Sequence, residues 1–179
     1  MSQGETSDPL EDVMAVIQSA KARGSGLEGM EGFLARALPD ADASEVSEAA
    51  DLALEIIESV PVFLARARQE AATRGLERVV LPLLQRAERY FLKPIDLLPE
   101  MTHGLPGLLD DSYLVIRTLQ NLDGGSEPFL DWDLDAPVRF LTRVLGSTMT
   151  ERLDEIASDA IADVSDRLET LWNNAAHRA

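Results

Sequence analysis

Leu76-Glu77-Arg78-Val79-Val80-Leu81-Pro82-Leu83-Leu84-Gln85-Arg86-Ala87-Glu88-Arg89-Tyr90-Phe91 carries the clearest helical pattern in the chain. Leu76, Val79, Val80, Leu83, Leu84, Ala87 and Phe91 follow the alternating three-and-one spacing that puts apolar side chains on one face of a helix. Pro82 lacks an amide hydrogen and predicts a kink or a late start, and Lys93-Pro94 ends the helix. Nowhere does the chain sustain the two-residue alternation of a half-buried strand, so strand-rich folds are set aside.

On either side the same period recurs between Gly, Pro and capping residues. Asp8 as N-cap, Pro9 at the first helical position and Glu11 closing a capping box open a helix with Leu10, Val13, Met14 and Ile17 on one face. It ends at Gly24 to Gly26. A weaker helix spans Leu27, Met30, Phe33, Leu34 and Leu38, since Gly29 and Gly32 each cost about 1 kcal/mol of propensity relative to Ala. Asp42 with Glu45 restarts the pattern, and Val46, Ala49, Ala50, Ala53, Ile56, Ile57 and Val60 run into Pro61, where a kink or restart is expected. Phe63, Leu64 and Ala67 continue towards Gly75. Beyond the quoted stretch, Leu109, Tyr113, Ile116 and Leu119 mark a helix stopping near Gly124-Gly125, and Pro137 through Leu145 form a shorter one before Gly146. The last helix opens on a Thr148/Glu151 capping box, and its stripe from Leu153 to Trp172 covers about seven turns. The expectation is an all-α, single-domain bundle of six to eight helices with a long C-terminal helix, preceded by a flexible segment over residues 1–7.

Composition narrows the class. A chain of 179 residues suits one domain, which buries roughly 70% of the surface its unfolded form exposes. The absence of Cys excludes a disulfide framework, thiolate metal sites and a thiol nucleophile. Met1 to Pro9 lacks the basic and apolar regions of a secretion signal, and no long uncharged apolar run occurs, so a cytoplasmic location without a spanning helix is expected. The net charge of −16 repels phosphate backbones and anionic lipid, which argues against nucleic acid as partner.

One segment departs from the helical grammar. Tyr90 to Asp111 contains three prolines and two glycines, hence a turn-rich connection, yet Ile95, Leu97, Leu98, Leu105, Leu108 and Leu109 make it as apolar as a core. Asp96 can accept hydrogen bonds from backbone amides, and Asp110 or Asp111 can cap the next helix. Equally, Asp96, Glu100, His103, Asp110 and Asp111 hold enough oxygen and nitrogen donors for Mg²⁺, Mn²⁺ or Ca²⁺ if the loop gathers them. No nucleophile or oxyanion-binding loop accompanies these carboxylates, so enzymatic chemistry is not indicated.

With Tyr90, Pro94, Asp96, Pro99, Gly107, Asp110 and Asp111 in this order, the segment resembles the YkvA-like family. These are small helical bacterial domains of unknown function, with an aromatic residue, a Pro-Ile-Asp-Leu-Ile-Pro-Asp motif and a Gly before paired aspartates. Glu100 stands where the family has Asp, the span from Pro99 to the paired aspartates is one residue longer, and His103-Gly104 lies near the place of a mid-loop Pro. The resemblance centres on Tyr90 to Ile116, within a helical context over 76–122. It implies an all-helical fold with no agreed activity, and some relatives associate with membranes.

The remaining motifs are weaker. Asp131-Trp132-Asp133-Leu134-Asp135 opens like a calcium-binding loop, but Ala136 and Thr142 occupy positions that require Gly and Glu, so it is rejected. Phe129 and Trp132, set among acids, form a candidate partner-binding loop; such aromatics also pin loops to their own core. Two functions stay open. The first is a non-enzymatic interaction or scaffold module that binds another protein or itself, as a homodimer through the C-terminal helix or peripherally at a membrane. The second is a divalent-metal-dependent enzyme or metal-regulated binding domain centred on Asp96 to Asp111.

Overall fold

The computed structural model describes residues 8–23, 26–93, 104–123 and 128–162, and within them it is all helical. Seven α-helices follow in order: α1 Pro9–Ala22, α2 Leu27–Ala37, α3 Ala43–Arg74, α4 Glu77–Leu92, α5 Leu109–Gln120, α6 Asp135–Leu145 and α7 Ser147–Ala162, with a 3-10 turn at Leu105–Leu108 before α5. The expected all-α bundle is therefore the fold. Where a long final helix is expected, α7 is described over Ser147–Ala162; the stripe from Val164 to Trp172 lies outside the described residues, as do residues 1–7.

The helix starts follow local chemistry. Asp8 accepts from the Leu10 amide at 3.1 Å and opens α1. Asp42 accepts from the amides of Ser44 and Glu45 at 2.8 and 2.9 Å while Glu45 accepts from the Asp42 amide at 2.8 Å, the reciprocal box read from the sequence. The box expected at Thr148 is not formed. Gly146, at φ +82, ends α6, and α7 begins at once with Ser147, so Thr148 falls inside its first turn.

Neither proline breaks its helix. α3 runs for 32 residues through Pro61, and α4 begins at Glu77 and continues through Pro82. Proline removes one amide donor and crowds the preceding turn, but both halves of α3 bury apolar residues on the same side, from Val46 to Val60 and from Leu64 to Ala71. That shared burial holds the axis together across the lost bond.

All seven apolar positions of the quoted stretch are buried. α4 lies against α1, α3 and α5, while α5 is enclosed by α3, α4, α6 and α7. Ten of the twelve residues of α5 are buried, so it is covered all round where the sequence pattern predicts one apolar face. Its Ser112 and Thr118 hydroxyls donate to the carbonyls four residues back, at 2.6 and 2.8 Å, which offsets their desolvation. Burying Leu109, Ile116 and Leu119, each contributing roughly 1.5–3 kcal/mol, outweighs what remains.

Candidate functional site

The segment from Tyr90 to Asp111 joins the outer helix α4 to the central helix α5. Of the residues singled out there, Tyr90, Gly107, Asp110 and Asp111 are described; Pro94, Asp96, Pro99, Glu100 and His103 lie outside the described residues. Tyr90 is half-buried near the end of α4, and its hydroxyl accepts from Arg86 Nε at 3.4 Å. Arg86, Arg89, Tyr90 and Lys93 line a concavity of about 430 Å³. Cations in this position complement the negative end of the α4 dipole.

Gly104 leads into the 3-10 turn at φ +87 and ψ −157, a backbone region reserved almost wholly for glycine. A Cβ there would sit 3.4 Å from the Arg23 carbonyl oxygen, so the loop closes directly on the end of α1. Gly107 belongs to the turn itself, and the Leu109 amide donates to the Pro106 carbonyl.

Asp110 and Asp111 are buried in the first turn of α5, at 6% and 4% exposure. Neither is the N-cap. Leu108 holds that position without a side-chain cap, because the 3-10 turn already places backbone acceptors under the helix start. The two carboxylates nevertheless occupy the end of α5 where the helix dipole favours negative charge. Two adjacent carboxylates are fewer oxygen donors than a hard cation takes, and among the described residues no three His, Asp or Glu side chains come together in a metal-holding group.

The aromatic loop after α5 is held from within. Phe129 is 3% exposed, its amide donates to Asp123 Oδ1, and Arg74 at the end of α3 lies 5.3 Å above its ring. Arg74 also donates to the carbonyls of Pro128 and Phe129, at 2.8 and 3.3 Å. Trp132, 40% exposed, rests on Phe63 with ring centroids 5.1 Å apart, so of the two aromatics it is the one that reaches solvent. Asp133 accepts from the amides of Asp135 and Ala136, at 2.9 and 3.2 Å, and so caps the start of α6.

Two features escape sequence reasoning. Asp154 on α7 accepts from Tyr113 at 2.9 Å and from Arg117 at 2.8 Å, a polar clasp between α5 and α7. Burial, and then the bond to Asp154, push the Tyr113 hydroxyl above its ordinary value. The second is a groove of about 430 Å³ between α1 and α3, lined by Leu10, Met14, Ile17, Pro61, Val62 and Ala65 with Gln18 and Glu58. Periodicity places Met14 on the core face of α1, but in the fold it is 54% exposed, and Val62 is 57% exposed. The signal in the sequence is an apolar stripe on α1 wider than one neighbour can cover.

Comparison with protein-family models, curated proteins and solved structures gives no match for the chain. Function therefore rests on the chain's own residues. Among the described residues no helix is long and apolar enough to cross a membrane.

Proposed function

We propose that the protein is a non-enzymatic helical interaction module, a YkvA-like domain of the bacterial cytoplasm that binds another protein or a second copy of itself. The observation that carries this reading is the α1/α3 groove, where Met14 and Val62 leave more than half of their apolar surface in solvent. Contiguous apolar surface of this kind is costly to leave wet and marks contact sites on folded domains. Trp132, anchored on Phe63 and open on its other face, is a second contact point of the type enriched at interfaces. The apolar residues from Val164 to Trp172 in the sequence are a further candidate for self-association.

The second reading, a divalent-cation site using Asp96, Glu100, His103, Asp110 and Asp111, draws support from the burial of Asp110 and Asp111 side by side. One pair of experiments separates the two. Sedimentation of the full chain over a wide concentration range, and affinity capture from the source cells, are run with wild type and with Met14→Ser/Val62→Ser. The interaction reading expects a concentration-dependent mass or a captured protein, either one lost in the double variant. Thermal melts with EDTA, Mg²⁺, Mn²⁺ or Ca²⁺ are then run on wild type and Asp111→Asn. The interaction reading expects no ion to move the midpoint and the variant to melt lower in every buffer. A rise of several degrees with one ion, abolished by Asp111→Asn, would replace it with the metal reading.

A further inference from the structure

The α1/α3 groove has defined ends. Lys21 Nζ meets Glu58 Oε1 at 2.5 Å at one end, and Arg68 Nη1 meets Asp8 Oδ1 at 3.5 Å at the other. The pairing of residue 21 with 58 and of 8 with 68 makes the two helices antiparallel. At about 1.5 Å of rise per residue, the groove between the bridges is roughly 15–20 Å long, the length of three helical turns. Buried Ile17 and part-buried Pro61 line it from below, and exposed Met14, Val62 and Ala65 form its lips. These are the dimensions of a seat for one short amphipathic helix with apolar anchors at successive turns.

Charge selects the occupant. Beyond the Lys21–Glu58 end, the same face of α3 continues as Glu48, Asp51, Glu55 and Glu58, spaced three, four and three residues apart and all exposed. Glu11 adds an exposed carboxylate on α1. The cations close by are already engaged: Lys21 with Glu58, Arg66 with Glu70, and Arg68 with Glu88 and Asp8. The groove therefore opens at this end onto net negative surface, on a chain of net charge −16, which disfavours a second copy of the chain and an anionic lipid surface.

From this geometry we infer that the α1/α3 groove receives a cationic amphipathic helix of another protein. Its apolar residues cover Met14 and Val62, and its Lys or Arg residues lie along the carboxylate stripe of α3. The inference rests on the reading of the protein as an interaction module and names the chemistry of the partner.

The test uses three labelled synthetic peptides of roughly 22 residues, about 33 Å of helix, enough for the groove and for the carboxylate stripe beyond its Lys21–Glu58 end. One carries Leu at successive turns flanked by Lys and Arg, one has that composition shuffled, and one keeps the Leu pattern but replaces the cations by Glu. Each is titrated by fluorescence anisotropy into the full-length wild type, Met14→Ser/Val62→Ser and Asp51→Asn/Glu55→Gln. All four substituted positions are exposed, so the variants fold as wild type does. The patterned cationic peptide is expected to bind at least about tenfold tighter than the shuffled one, to lose that advantage on the Ser variant, and to weaken severalfold on the amide variant and in high salt. Equal binding of patterned and shuffled peptides, or an unchanged affinity on the Ser variant, overturns the groove as the seat. Preference for the acidic peptide overturns the charge assignment. Self-association or protein capture that is lost in the Ser variant, with no preference for the cationic peptide, would sink this inference and leave the interaction module standing. Absence of peptide binding, self-association and capture together would remove both.

Discussion

Glu88 is 1% exposed on α4, and its carboxylate meets Arg68 Nη2 of α3 at 2.5 Å. Arg68 also reaches Asp8, so one guanidinium joins the start of α1 to α3 and α4. Burial raises the Glu88 carboxyl above its ordinary value, and attraction to Arg68 offsets only part of that rise. The folded state thus holds this proton more tightly than the unfolded chain does. The contribution of Glu88 to stability is then full below pH 4.5 and lost as pH climbs through the folded value. Glu88→Gln keeps an acceptor for Arg68 without the charge. Urea midpoints from about pH 4 to about pH 7 should fall for wild type relative to this variant. If the variant instead loses more stability over that interval, attraction to Arg68 dominates over desolvation.

At the scale of elements, α3 and α5 set the architecture by different means. α5 is central because its polar residues find nearby partners, Ser112 and Thr118 on their own helix and Tyr113 and Arg117 on Asp154. α3 is the longest described helix and carries Pro61 within it, a residue that costs about 3 kcal/mol relative to Ala in a helix interior. Pro61→Ala restores an amide donor to α3 and releases the clash with the preceding turn. The expected outcome is a higher melting midpoint, with a gain below the full 3 kcal/mol or so because Ala also frees the unfolded chain. A lower midpoint would mean that the backbone geometry at Pro61, which lines the α1/α3 groove, is needed for the packing of α1 on α3.

The whole molecule is governed by its charge. With 32 acidic against 16 basic residues, self-repulsion opposes the compact state, while the described surface ion pairs contribute little each. Added salt screens both, and the repulsion is the stronger of the two. Thermal midpoints should therefore rise from about 0.01 M to about 0.5 M NaCl, over which the screening length shrinks from about 30 Å to a few Å. A fall on adding salt would mean that attractive pairs such as Arg68–Glu88 and Arg117–Asp154 outweigh net repulsion.

The helical class, most of the core face of each helix and several helix starts are legible in the amino-acid sequence, because periodicity and capping act within a few residues. The stripe from Leu76 to Phe91, all seven positions of it buried, and the Asp42/Glu45 box are local in this sense. Tertiary packing sets what depends on neighbours distant in the chain. It continued α3 and α4 through Pro61 and Pro82, put α5 at the centre with Asp110 and Asp111 inside its first turn, and folded Phe129 under Arg74. It also left Met14 and Val62 in solvent, since two apolar stripes meet only as far as the packing of α1 on α3 allows, and the surplus became a groove.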